Sequence, residues 1–172
     1  MINISLEKLK SREINVMELD FAEHLDHISV DGRQISILSP LEIKGEIVNT
    51  TEGMYLECNI KTTIEDFCSR CLKEMQVEID SNVQGFLVEK DKGFLEAEED
   101  IFVYHGDSLN FYKIIVDAIA LNVPQKLLCS EDCKGLCPGC GADLNVEECR
   151  CSEEEKDERL IDPRLAKLKD LL

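Results

Sequence analysis

Six of the chain's nine cysteines fall between Cys129 and Cys151, in the pattern C-x3-C-x3-C-P-x-C-G-x7-C-x-C. Two more form a separate Cys68-Ser-Arg-Cys71 turn. A thiolate is a soft ligand, and zinc takes four of them at tetrahedral corners, about 2.3 Å from each sulfur. C-x-x-C sets two sulfurs on one tight turn, and the glycine after Cys140 can take positive φ and let backbone N–H groups face the sulfurs. Cys137 and Cys140 with Cys149 and Cys151 make one self-contained set of four. Cys68 and Cys71 then lack two ligands, as do Cys129 and Cys133, and the simplest pairing joins them. The expectation is two zinc sites, Cys68/Cys71/Cys129/Cys133 and Cys137/Cys140/Cys149/Cys151. A rival partition uses Cys133, Cys137 and Cys140 with one of Cys149 or Cys151, and leaves a single site. A site closed by four thiolates has no position open to water, so it would be structural and not catalytic. Disulfides, an iron–sulfur cluster and a dithiol redox pair are the competing chemistries. Cys58 falls on an apolar strand face and reads as a small buried hydrophobe.

Other catalytic constellations are thin. The histidines are His24, His27 and His105, and the first two could share a helix face. Glu96, Glu98, Glu99 and Asp100 could bind magnesium, although their charged, loop-like setting argues against it. No glycine-rich phosphate loop is present. Arg70, Lys134 and Arg150 lie beside the thiolates and could either make a small basic spot or offset the sulfur charge.

The chain carries 36 acidic and 19 basic residues, a formal net charge of −17, and no tryptophan. Nucleic-acid affinity leans on phosphate neutralisation by Lys and Arg, so this surface disfavours tight, extended RNA binding. It favours a basic protein partner, with any RNA contact local. The N-terminus has no uninterrupted apolar run and no stretch approaches membrane-spanning length, so the expectation is a soluble, cytoplasmic protein with no membrane role.

The elements that must position the cysteines follow from periodicity. Ser5 precedes a short helical pattern with Leu6 and Leu9 on one side, and Val16, Leu19 and Phe21 suggest an extended segment or a turn of helix. From about residue 34 the period is two. Ile35 and Ile37 begin it, Leu41, Ile43, Gly45 and Ile47 share a face, and after the 49–53 loop Met54, Leu56, Cys58, Ile60, Thr62 and Ile64 continue it. This predicts a β-hairpin. Met75, Val77, Ile79, Val83, Gly85 and Leu87 alternate again, so Cys68–Cys71 sits at a hairpin tip. Ile101 and Val103 mark a short strand. Spacing of three and four through Phe111, Ile114, Ile115, Ala118, Ile119 and Asn122 predicts an amphipathic helix over Leu109–Leu121, capped by Asp107 or Ser108 and ended by Pro124. Asp162–Leu172 reads as a terminal helix with Leu165, Leu168, Leu171 and Leu172 in a stripe, packed on its own domain or docking a partner. The fold class is α+β: an antiparallel sheet, its closure into a barrel left open, covered by the helix and followed by a cysteine-rich zinc-binding tail. The expected boundaries are 1–128 for the β-rich domain and 129–172 for the metal-binding segment and C-terminal helix.

These motifs together resemble a known family. Cys68-Ser-Arg-Cys71-Leu72, the run from Cys129 through Cys133-Lys-Gly-Leu-Cys137-Pro-Gly-Cys140-Gly to Asn145, Cys149-Arg-Cys151 and Asp162-Pro-Arg164 are similar to the YceD-type large ribosomal RNA subunit accumulation proteins of bacteria and plastids. The resemblance runs along essentially the whole chain, in order. It implies a part in accumulation, and so in maturation or stabilisation, of large-subunit ribosomal RNA, and implies no established enzymatic activity. Joined to the residue reading, the expectation is a zinc-stabilised, non-enzymatic ribosome-biogenesis factor acting through a basic ribosomal protein or the assembling large subunit. The alternatives are an RNA-processing enzyme and a thiol redox switch that releases zinc.

Overall fold

A computed structural model describes residues 2–30, 32–90 and 101–151. The elements in order are β1 (Asn3–Ser5), α1 (Glu7–Lys10), β2 (Val16–Glu23), β3 (His27–Val30), β4 (Arg33–Ile37), β5 (Leu41–Asn49), β6 (Met54–Phe67), β7 (Glu74–Glu89), β8 (Ile101–Tyr104), β9 (Ser108–Asn110) and α2 (Phe111–Asn122). The chain divides into two compact units, one made of Met1–Asp66 and Gln76–Gln125, the other of Phe67–Met75 and Lys126–Leu172.

The first unit is built on a seven-stranded sheet with β6 as its spine. β5 pairs with β6 from Met54 to Lys61, β4 takes Ile64 and Glu65, and β7 pairs with β6 and β8. β2 pairs with β5, and β3 with β4, both antiparallel. Burial alternates along β6 because a strand turns successive side chains to opposite faces. Met54, Leu56, Cys58, Ile60, Thr62 and Ile64 are buried, while Glu57 and Lys61 between them are exposed. Across the strands the register sets Ile47 against Leu56 and Ile43 against Ile60, which makes one continuous apolar face. Gly45 stands opposite Cys58 on that face. A Cβ there would overlap Glu57 O and Cys58 Cα and lie 2.5 Å from Cys58 Cβ, so the two strands meet at a distance only glycine permits.

The sheet departs from the sequence expectation in its pairing and answers the question of closure that the sequence left open. Its pairing is not wholly antiparallel, for β7 and β8 run parallel, from Phe86 opposite Ile101 to Glu89 opposite Tyr104. Nor does it close, because among the described residues the strand path ends at β2, β3 and β8 without joining edges. The sheet also begins earlier than expected. Val16–Glu23 is β2, and His27–Val30 pairs with Arg33–Ile37 in a hairpin too short to show clear alternation.

α2 buries Phe111, Ile114, Ile115, Ala118 and Ile119 in the same apolar cluster as the inward residues of the sheet. Each of the Phe and Ile side chains contributes about 1.5–3 kcal/mol on full burial. Phe111 meets Phe21 of β2 edge-on, with ring centroids 6.1 Å apart. The cap differs from expectation: the Asn110 side chain accepts the Lys113 N–H at 3.3 Å. Ser108 and Leu109 are committed to pairing with β1, opposite Ser5 and Ile4, so the helix cannot begin until that ladder ends. Ser5 is likewise in β1, and α1 starts after Leu6 with no side-chain cap. Leu6 and Leu9 are fully buried, so burial rather than capping holds this single turn.

Candidate metal centres

Both cysteine groups belong to the second unit. Cys68–Lys73, between β6 and β7, forms a tight knuckle: the Cys68 N–H donates to Lys73 O at 2.9 Å and the Leu72 N–H donates to Cys68 O at 3.0 Å. The segment after α2 is laid against it by paired contacts. Ser69 N–H donates to Leu127 O at 2.7 Å, Leu127 N–H to Ser69 Oγ at 3.1 Å, and Leu136 N–H to Arg70 O at 3.0 Å. Cys129 and Cys133 thereby reach the knuckle, with Cys68 Sγ 3.8 Å from Cys133 Sγ and Cys71 Sγ 3.5 Å from Cys129 Sγ. Cys68, Cys71 and Cys133 are buried, with Met75, Leu128 and Leu136 packed around them.

The second group repeats the device. Cys137 N–H donates to Ala142 O at 2.8 Å and Gly141 N–H donates to Cys137 O at 2.9 Å, the same two bonds at the same offsets as in the first knuckle. The residue after the second cysteine has positive φ in both: 60° at Leu72 and 74° at Gly141. Sequence flanks hide this kinship because leucine stands where glycine would be expected. Cys149 and Cys151 complete the group, 3.2 and 3.8 Å from Cys137 Sγ. The C-x-C pair, cramped as it is, brings both of its members in. Cys137 is buried, Cys140 exposed, and Cys149 and Cys151 intermediate.

In each group the four sulfurs lie within 4.8 Å of one another. A tetrahedron of sulfurs about 2.3 Å from a central ion has edges of about 3.8 Å. The separations above, from 3.2 to 3.8 Å, suit that cage and are too long for a disulfide's bond of about 2.05 Å. The groups of four are those expected from counting pairs, and Cys133 lies with Cys68 rather than with Cys137 as the rival partition would have it. Cys58 belongs to neither group; it is buried in the apolar core of the first unit, its thiol pushed up to about 12 by burial.

The donor chemistry also suits a cation. The Cys71 N–H, with those of Arg70 and Cys129, favours the Cys68 thiolate and outweighs burial, lowering its pKa to about 6. The N–H groups of Cys140 and Gly139 do the same for Cys137, also to about 6. At Cys71 an N–H from Lys73 favours the thiolate, but burial and the sulfurs of Cys68, Cys129 and Cys133 outweigh it and push the thiol up to about 12. Burial, then the sulfurs of Cys149, Cys140 and Cys137, raise Cys151 to about 12 as well. Backbone dipoles thus stabilise some thiolates in each group, while crowding resists the rest. A divalent ion at the centre relieves that conflict.

Two side chains support the first group, and one of them, Asn145, escaped sequence reasoning. Arg70, although exposed, donates from its guanidinium to Cys133 O at 2.6 Å and so braces the first group. Asn145 donates from Nδ2 to Cys133 Sγ at 3.5 Å and to Asp143 Oδ1 at 2.7 Å, and its Oδ1 accepts the Lys134 N–H at 2.8 Å. Such outer contacts orient ligands. The only sequence signal was the position of Asn145 at the end of the cysteine-rich motif. Arg150 is paired with Glu147. His24 and His27 are exposed on a loop and on β3, not on a helix, and His105 is exposed between β8 and β9. Glu96, Glu98, Glu99 and Asp100 lie outside the described residues, as does the 162–172 helix expected from its leucine stripe. Among the described residues no helix is long and apolar enough to cross a membrane.

A family model described as large ribosomal RNA subunit accumulation protein YceD matches residues 56–172, a span that contains both cysteine groups. The chain belongs to the YceD family. Among individual proteins, it is 28% identical to the chloroplastic large ribosomal RNA subunit accumulation protein YCED homolog 1 of Arabidopsis thaliana, over 69% of this chain and 46% of the plant protein. It is 26% identical to an uncharacterised protein of Mycobacterium bovis, over 77% of this chain and 62% of that one. An uncharacterised protein of Mycobacterium leprae shares 27% identity over 78% of this chain and 60% of its own length. The chain therefore spans about half to three-fifths of the length of these relatives. No solved structure matches it. The family is named for accumulation of the large ribosomal RNA subunit.

Proposed function

We propose that this protein is a zinc-stabilised, non-enzymatic, cytoplasmic factor that supports accumulation or maturation of large-subunit ribosomal RNA by way of a basic protein partner. Membership of the YceD family over residues 56–172 carries the role. Two all-sulfur groups of four support zinc, since thiolate sets in a tetrahedral arrangement select it among the common divalent ions. Bound there, zinc supplies positive charge and a fixed tetrahedral cross-link. Cys68, Cys71, Cys129 and Cys133 hold the β6–β7 turn to the segment after α2, and Cys137, Cys140, Cys149 and Cys151 close the last described loop. Four protein ligands leave no place for a reacting water, which supports a structural task.

The partner reading rests on charge. At −17 the chain repels phosphate and attracts cationic protein, so RNA contact is local and the main association is with a basic ribosomal protein or the assembling large subunit. Depleting the protein from its cells, with quantification of large- against small-subunit ribosomal RNA, tests the role. The expected result is a lowered ratio, restored by the wild-type chain and not by Cys68→Ser/Cys71→Ser. An unchanged ratio contradicts the reading.

A further inference from the structure

We propose that the outward face of the seven-stranded sheet docks a basic protein segment, one that presents apolar side chains in a line beside lysines or arginines. The inference rests on the basic-partner reading above and assigns it a surface. It begins from a row of apolar side chains on the face away from the core, with Val48, Tyr55, Phe86 and Ile101 half-buried. Val16 of β2 stands opposite Val48 of β5, and Val48 opposite Tyr55 of β6. Tyr55 meets Phe86 of β7 edge-on at 5.0 Å, and Phe86 stands opposite Ile101 of β8. The row crosses five strands, and none of its members belongs to the buried core. Val16, on the edge strand, is 45% exposed.

The next row is acidic. Glu18, Glu46 and Glu57 are in register across β2, β5 and β6, and all three are exposed. Side chains directly opposite have Cβ atoms about 4.5–5.5 Å apart, and like charges so placed weaken a sheet. None of the three forms an ion pair among the described residues. By contrast the row beyond has Lys44 between Asp20 and Asn59, the mixed arrangement that pairing by itself would favour. An apolar belt beside an uncompensated carboxylate belt complements a segment that is apolar on one line and cationic on the next. RNA would bring more negative charge against the glutamates. A second copy of this chain would bring the same carboxylates.

The test uses the full-length chain, loaded with zinc, and the proteins of purified large ribosomal subunits as individually separated probes. Affinity is measured for wild type, E18Q/E46Q/E57Q and V16S, and carboxyl-to-amine cross-linking maps the contact on wild type. Thermal melting confirms folding; neutralising the glutamates leaves it unchanged or raises it. The expected result is a probe cross-linked through Glu18, Glu46 or Glu57, with roughly tenfold weaker binding in the triple variant, the sum of three partly exposed ion pairs. Binding within twofold of wild type in both variants, with cross-links elsewhere, overturns the surface and leaves the partner reading standing. Cross-links between copies of the chain at these glutamates also overturn it. Binding of ribosomal RNA alone, with no protein probe captured, overturns both.

Discussion

Gly141→Ala isolates the contribution of one backbone conformation to metal binding. Gly141 follows the second cysteine of its knuckle with φ of 74°, and its N–H donates to Cys137 O at 2.9 Å. A Cβ at this position meets nothing within 4 Å, so the substitution adds no clash. What remains is the cost of holding an L-residue in the left-handed region, about 1–2 kcal/mol. Referred to the metal-bound state, that is an affinity about five- to thirtyfold lower at the group of Cys137, Cys140, Cys149 and Cys151. The group of Cys68, Cys71, Cys129 and Cys133 should keep its affinity, because its own knuckle is untouched. Competition with a chromogenic chelator, followed by alkylation and mass spectrometry to show which thiols were released, separates the two. Leu72→Gly is the mirror experiment: Leu72 has φ of 60° and is 62% exposed, so glycine relieves strain without emptying a core, and the first group should hold metal at least as tightly. An affinity within twofold of wild type for Gly141→Ala, or an equal fall at both groups, would refute the reasoning.

Three further outcomes follow from the same geometry. Gly45→Ala puts a methyl group where Glu57 O and Cys58 already stand, and overpacking against backbone costs about 1–3 kcal/mol or more, so the melting temperature should fall by several degrees; an unchanged melt contradicts the close approach. Cys58 is held as a thiol up to about 12 against an ordinary value of 9.0, so the folded state retains its proton while the unfolded chain loses it. Stability is therefore complete below pH 9 and declines between pH 9 and 12, and Cys58→Ala should remove that part of the decline in denaturant titrations across the window. Finally, Cys140 is exposed whereas Cys68 is fully buried and Cys133 is 2% exposed. Under a chelator the thiols of Cys137, Cys140, Cys149 and Cys151 should become alkylatable first; release in the opposite order contradicts this reading.

How much could be read from sequence depended on the range of the interaction. The β5–β6 hairpin and the helix of Phe111–Asn122 follow local periodicity, and their apolar residues are where alternation and the spacing of three and four set them. Each C-x-x-C turn is equally local, and counting pairs was enough to group eight cysteines in fours. What escaped was set by distant partners. Asn110 became the helix cap because Ser108 and Leu109 pair with a strand at the other end of the chain. The parallel pairing of β7 with β8 leaves no mark on either segment's alternation. Leu72 conceals a glycine-like conformation, and Asn145 acts through a sulfur twelve residues away.

The account depends most on both cysteine groups holding metal at once. Native mass spectrometry of freshly purified protein, with elemental analysis of the same sample, measures this directly. The prediction is two zinc ions per chain, with Cys68, Cys71, Cys129, Cys133, Cys137, Cys140, Cys149 and Cys151 all protected from alkylation until the metal is removed. One ion per chain, or none with those thiols freely reactive, would contradict it.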